Sequence, residues 1–115
     1  MTLEELREQI DVLDRQLVEL LSERARAAQM VGHLKAATSL PIYEPAREKV
    51  VYANVRAANK GPLPDIELTH IYERIIDVMR ALQRNELASE RNARAAASGH
   101  GAGPETAATK IGDKP

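Results

Sequence analysis

From Leu3 onward the apolar positions Leu6, Ile10, Leu13, Leu17 and Leu20 recur at alternating steps of three and four residues, the rhythm of a single stripe along an α-helix. The same rhythm continues through Arg24, Ala27, Val31 and Leu34. Thr2 followed by Glu5 is a capping-box pattern, and no proline intervenes before Pro41, so the stripe predicts a helix from Leu3 to about Ala37. Pro41 to Pro45 make a short connection, in which Glu44 and Pro45 read as the cap and first-turn proline of a second helix running to about Asn59. The Lys60-Gly61-Pro62-Leu63-Pro64 stretch is a strong breaker. Asp65 is then placed to cap a third helix, fraying past Glu86, whose apolar face includes Ile71, Ile75, Met79 and Leu82. From Ala95 the chain is dominated by Ala, Gly, Ser, Thr and Pro, with Ile111 as its one large aliphatic residue. Residues 1–94 are therefore expected to form one all-α domain of three helices, and residues 95–115 a disordered, low-complexity tail.

A first helix of that length spans roughly 50 Å, whereas a folded domain of about 100 residues has a radius of gyration near 13 Å. Its stripe stays apolar along nearly the whole length, and the part overhanging the body of one chain needs cover. A second copy of the chain supplies it, which predicts an intertwined homodimeric helical bundle. The other reading is a helix that breaks at Gly32 and folds back. A lone interior glycine costs only about 1 kcal/mol, which favours the continuous helix.

Composition narrows the function. Sixteen basic residues nearly balance seventeen acidic ones, and the only aromatics are three tyrosines, so neither a basic field nor stacking platforms point to nucleic acid. Cysteine is absent, which removes disulfides and thiolate chemistry and suits a reducing compartment. No apolar run is long enough to span a bilayer, and the acidic stretch Met1 to Glu8 lacks the basic head and apolar run of a signal peptide. These features predict a cytoplasmic protein with no membrane partner.

Candidate chemistry begins with Arg24, which stands on the apolar stripe where the pattern would place an aliphatic residue. Lys35 follows eleven residues later, about 16 Å along nearly the same face, so both side chains reach toward one point between them. Snorkelling cations whose stems pack while their heads meet water are the bland alternative. Arg7 flanks the same stripe but sits about 25 Å from Arg24, too far to share a small ligand within one chain. An antiparallel partner would bring its Arg7 to the Arg24 region; alone, Arg7 reads as an ion pair with Asp11. Glu44, Arg47 and Glu48 open the second helix, where acids also simply complement the helix dipole. Met79 and Gln83 share one face of the third helix, Gln83 presenting an uncharged amide at the edge of an apolar surface. Glu67 and His70 match the Glu-x-x-His spacing of di-iron bundles, but such a site needs two copies and two further glutamates. His33 and His100 show no ligand spacing, solvent exposure is expected for all three histidines, and no metal is expected.

Taken together, Leu6-Arg7-Glu8-Gln9-Ile10-Asp11, Leu20-Leu21-Ser22-Glu23-Arg24, Val31-Gly32-His33-Leu34-Lys35, Pro41 to Glu48, Asn59-Lys60-Gly61-Pro62-Leu63 and Leu82-Gln83 resemble the all-helical chorismate mutases. The resemblance runs in order from Leu3 to Gln83. It implies an isomerase that converts chorismate to prephenate for aromatic amino acid biosynthesis, with no cofactor and no covalent intermediate. It further implies that Arg24, with Arg7 from across a homodimer interface, clamps the two substrate carboxylates. Lys35 and Gln83 would donate to the ether oxygen as its bond to the ring breaks. Glu48 would accept from the ring hydroxyl, with Arg47 beside it and Glu44 adding to hydroxyl recognition through its backbone. Met79 stands where many members carry a small hydroxyl residue, which removes one hydrogen bond to a substrate carboxylate, and Glu44 stands where aspartate is common. The resemblance also admits association with another enzyme of the shikimate pathway. A non-catalytic dimerisation module would need the stripe alone, and Arg24 with Lys35 argues against it.

Overall fold

Thr2 opens the first helix as a full capping box: its hydroxyl accepts from the Glu5 N–H at 3.1 Å, and the Glu5 carboxylate accepts from the Thr2 N–H at 2.8 Å. In the computed structural model, which describes residues 1–97, this helix is α1 (Leu3–Ala36), followed by α2 (Pro45–Ala58) and α3 (Asp65–Ala97). The described residues form no strand. α1 is unbroken at Gly32, and Ala37 caps it one residue earlier than the pattern gave. α2 opens with Glu44 in the cap position and Pro45 in the first turn, and Asn59 caps its other end.

Two boundaries of α3 differ from expectation. Asp65 is the first helical residue and not the cap: Pro64 offers its carbonyl to the Leu68 N–H at 3.0 Å, so Pro64 holds the cap position. The Asp65 carboxylate is instead taken by the Asn59 side-chain amide at 2.7 Å. That amide also donates to the Leu63 carbonyl at 2.8 Å, and Asn59 Oδ1 accepts from Gly61, whose φ of 73° suits glycine; together they fix the turn between α2 and α3. At its other end α3 runs well past Glu86 and three residues into the segment expected to be a tail. Alanine and arginine are good helix formers, and two side chains tie this extension to α1. Glu90 meets His33 at 2.9 Å, and Arg94 donates to the Ala36 carbonyl at 2.9 Å. The rest of that expected tail, residues 98–115, lies outside the described residues.

α3 packs along both α1 and α2, so it is the spine against which the other helices are set. The buried apolar set is small, Ala28, Ala36, Ile76 and Met79, and lies at the C-terminal half of α1. The other half of α1 has no cover among the described residues: Leu3, Leu6, Ile10, Leu13, Leu17 and Leu20 are each 45–63% exposed. The radius of gyration is 19.4 Å, well above the roughly 13 Å of a compact chain of about 100 residues. No helix among the described residues is long and apolar enough to cross a membrane.

Candidate active site

Lys35, in the last turn of α1, is 5% exposed and lies among the few buried apolar residues. A buried ammonium is costly unless its donors are met, and Lys35 Nζ has three partners: Glu44 Oε1 at 2.7 Å, Gln83 Oε1 at 2.9 Å and the Ile42 carbonyl at 3.2 Å. The connection before α2 thus folds over Lys35 from one side while α3 closes it from the other. Because lysine only donates, the Gln83 amide must turn its oxygen toward Nζ. Its Nε2 is left without a protein acceptor among the described residues and is not sealed from solvent.

This pair lies against a cavity of about 450 Å³. Arg24, Lys35, Glu44, Arg47, Glu48, Met79 and Gln83 all line it, with Ala28, Val31, Val51 and Ile76 giving an apolar wall. Three helices contribute these residues, so the cavity exists only once α3 has docked on α1 and α2. Arg24 is half-buried, its guanidinium 6.0 Å from the centroid of the Tyr72 ring. Arg7 is the one expected residue that the single chain does not bring here; it stands on the exposed N-terminal part of α1. Glu44 contributes through its carboxylate on Lys35, where a backbone role was expected. Met79 is buried and lines the cavity, and its side chain carries no hydroxyl to donate there.

Sequence reasoning missed Arg80. It lines the same cavity, and its Nε and Nη2 both donate to Glu48 Oε2, at 3.2 and 2.6 Å. Its guanidinium also lies 5.1 Å from the centroid of Tyr43 and 3.4 Å from Asp77. The hydrogen bond to Glu48 holds the Arg80 guanidinium above its usual range. Thirty-two residues separate Arg80 from Glu48, and no spacing rule spans them. With Arg80 counted, the wall carries four cations, Arg24, Lys35, Arg47 and Arg80, against two carboxylates, Glu44 and Glu48. The surplus of two positive charges matches a small dianion.

The crossing of α1 and α3 gathers groups that sequence spacing does not. His33 Nδ1 meets Glu90 Oε2 at 2.9 Å, and the ligand atoms of His33, Glu86 and Glu90 lie within 4.8 Å of one another. His33 is exposed, as expected, and it also pairs across two helices. His70 is exposed and near Glu67 on the outer face of α3, and His100 lies outside the described residues.

Three helices framing a cationic, amide-bearing cavity define an all-helical protein whose site has the charge to suit a small anion. Residues 6–84 match the family described as chorismate mutase type II, and the chain belongs to that family. It is 37% identical over 86 residues to the bifunctional chorismate mutase/prephenate dehydratase of Aquifex aeolicus, which covers 71% of this chain and 24% of that protein. The chain thus spans about a quarter of the bifunctional relatives it matches. It is 32% identical to a chorismate mutase of Methanocaldococcus jannaschii, over 78% of this chain and 92% of that one. Among solved structures, the form II chorismate mutase from Thermus thermophilus superposes with a TM-score of 0.69 at 34% identity, covering 70% of this chain and 92% of that one. The Helicobacter pylori chorismate mutase in complex with prephenate gives a TM-score of 0.68 at 32% identity, covering 75% of this chain and 93% of that one.

Proposed function

We propose that this chain converts chorismate to prephenate, in the biosynthesis of phenylalanine and tyrosine, and that it does so as an intertwined homodimer. The reaction is a concerted pericyclic shift that needs no nucleophile, acid or base, so the protein has only to bind, fold and polarise its substrate. Arg24 and Arg7 of the partner subunit hold the two carboxylates, which keeps the enolpyruvyl arm over the ring in a reactive pose. Gln83 Nε2 and Lys35 Nζ donate to the ether oxygen, where negative charge grows as the bond to the ring breaks. Glutamine suits this place because its amide donates without having to be protonated. Lys35 frees a donor by loosening its contact with Glu44, whose side chain at 41% exposure is readily hydrated. Glu48 accepts from the ring hydroxyl, with Arg47 beside it.

The observation that carries this reading is the Lys35–Gln83 pair at 2.9 Å, whose oxygen-to-lysine orientation directs an amide donor away from the lysine. The uncovered apolar stripe of α1 supports the dimer. The test is an assay of the purified protein with chorismate, following loss of its ultraviolet absorbance and identifying the product, with isochorismate run in parallel. Prephenate formed from chorismate is the expected result. Failure to turn over chorismate, or release of pyruvate from isochorismate at a higher rate, contradicts it.

A further inference from the structure

The proposed reaction assigns Glu48 to the substrate's ring hydroxyl, and the inference that follows rests on that reading. A glutamate side chain has three rotatable bonds and two equivalent oxygens, so something must decide which oxygen meets the substrate. Arg80 is placed to impose that choice. Both of its contacting nitrogens converge on one atom, Glu48 Oε2, at 2.6 and 3.2 Å. Glu48 Oε1 accepts no hydrogen bond among the described residues and is not sealed from solvent. The guanidinium is itself held on three sides: by Glu48, by the face of Tyr43 at 5.1 Å and by Asp77 at 3.4 Å. Glu48 and Arg80 are only 20% and 23% exposed, so the pair is little screened by water.

We propose that Arg80 is a positioning residue that saturates one oxygen of Glu48 and presents the other to the substrate's ring hydroxyl, which makes Arg80 a determinant of selectivity for hydroxylated substrates. A site built to hydrogen-bond a substrate hydroxyl discriminates against the analogue that lacks it, because its acceptor is then left unpaired. Discrimination of this kind requires the acceptor to be fixed. Once Arg80 is gone, Glu48 rotates into water and both substrates meet the same loose carboxylate. The adjacent Met79 shows that the local helix face serves two purposes: Met79 is buried against the core, and the next residue reaches across to α2.

The test compares Arg80→Met and Arg80→Lys with the unaltered protein, using chorismate and its analogue lacking the ring hydroxyl. For Arg80→Met, kcat/KM for chorismate falls by about tenfold to a hundredfold, the scale of a misplaced group. Its ratio of kcat/KM between the two substrates shrinks by about tenfold. Arg80→Lys keeps the charge but not the paired donors, and falls between the two. In a Glu48→Gln background, Arg80→Met has little further effect, because its action passes through Glu48. An unchanged substrate ratio in a folded Arg80→Met protein overturns the inference, as does a full additive loss in the Glu48→Gln background. If Arg80→Met does not fold, Arg80→Lys carries the same comparison of substrate ratios. If the unaltered protein leaves chorismate untouched, it is the proposed function that fails.

Discussion

Lys35 carries the most concentrated chemistry of any single residue among those described. Its three donors are divided among a carboxylate, an amide and a carbonyl, so a ligand oxygen must compete with one of them, and the half-exposed Glu44 is the partner most easily replaced by water. Removing a preorganised donor from such a site costs about a hundredfold or more in turnover. Lys35→Ala and Gln83→Ala are each expected to show that loss in kcat with chorismate, while circular dichroism reports an unchanged helical fold. A loss confined to KM would place these groups in binding alone. At this scale the sequence was legible in part. Arg24 and Lys35 stood out because charge fell on an apolar stripe, whereas Gln83 and Glu48 gained meaning only through the family resemblance. Arg80 was invisible: its partner lies 32 residues away on another helix, and a charged residue on an amphipathic helix ordinarily reads as solvated surface.

The helices themselves followed closely from pattern, capping and breakers, because α1 and α2 are bounded by local signals that need no tertiary context. α3 is the exception, since its last turns depend on His33 and the end of α1, which local sequence cannot show. The same crossing explains Gly32. A Cβ there would lie 2.9 Å from Gln83 Cα, 3.0 Å from the Gln83 carbonyl oxygen and 3.0 Å from Glu86 Cβ. Backbone atoms cannot yield as a flexible side chain can. In Gly32→Ala the gain in helix propensity, about 1 kcal/mol, is outweighed by overpacking of about 1–3 kcal/mol. A lower melting temperature and lower kcat are expected, because α3 and Gln83 are pushed off Lys35; a higher melting temperature with full activity would contradict this account of the crossing. At the start of α1 the Thr2 N–H, then the Thr2 hydroxyl, holds the Glu5 carboxyl below its ordinary value of 4.5. The lowered folded value means that this cap's contribution is complete above the ordinary carboxylate range and fades as pH falls through the lowered value. A carboxyl NMR titration should place Glu5 below 4.5, and Thr2→Pro, which removes the N–H donor, should raise it.

The whole molecule is an open arm attached to a small core. One chain buries few large side chains, leaves the first twenty residues exposed and extends to 66 Å. An apolar stripe of this length in water is an incomplete surface, and the proposed antiparallel second copy would cover it while carrying its own Arg7 toward the cavity. The stripe was legible as periodicity from the outset, and the single chain shows how much of it is uncovered. Sedimentation should accordingly give a mass of twice 12.7 kDa. The claim on which the rest depends is that the cavity is completed from two chains around a doubly negative substrate, and mixing Arg7→Ala with Arg24→Ala chains tests it most directly. Each parent lacks one clamp at every site, while a heterodimer regains one intact site of two, so re-association of equal amounts should restore activity on chorismate to about a quarter of the unaltered protein's. A mixture that forms heterodimers yet stays as inactive as its parents would show that Arg7 and Arg24 do not meet across the interface.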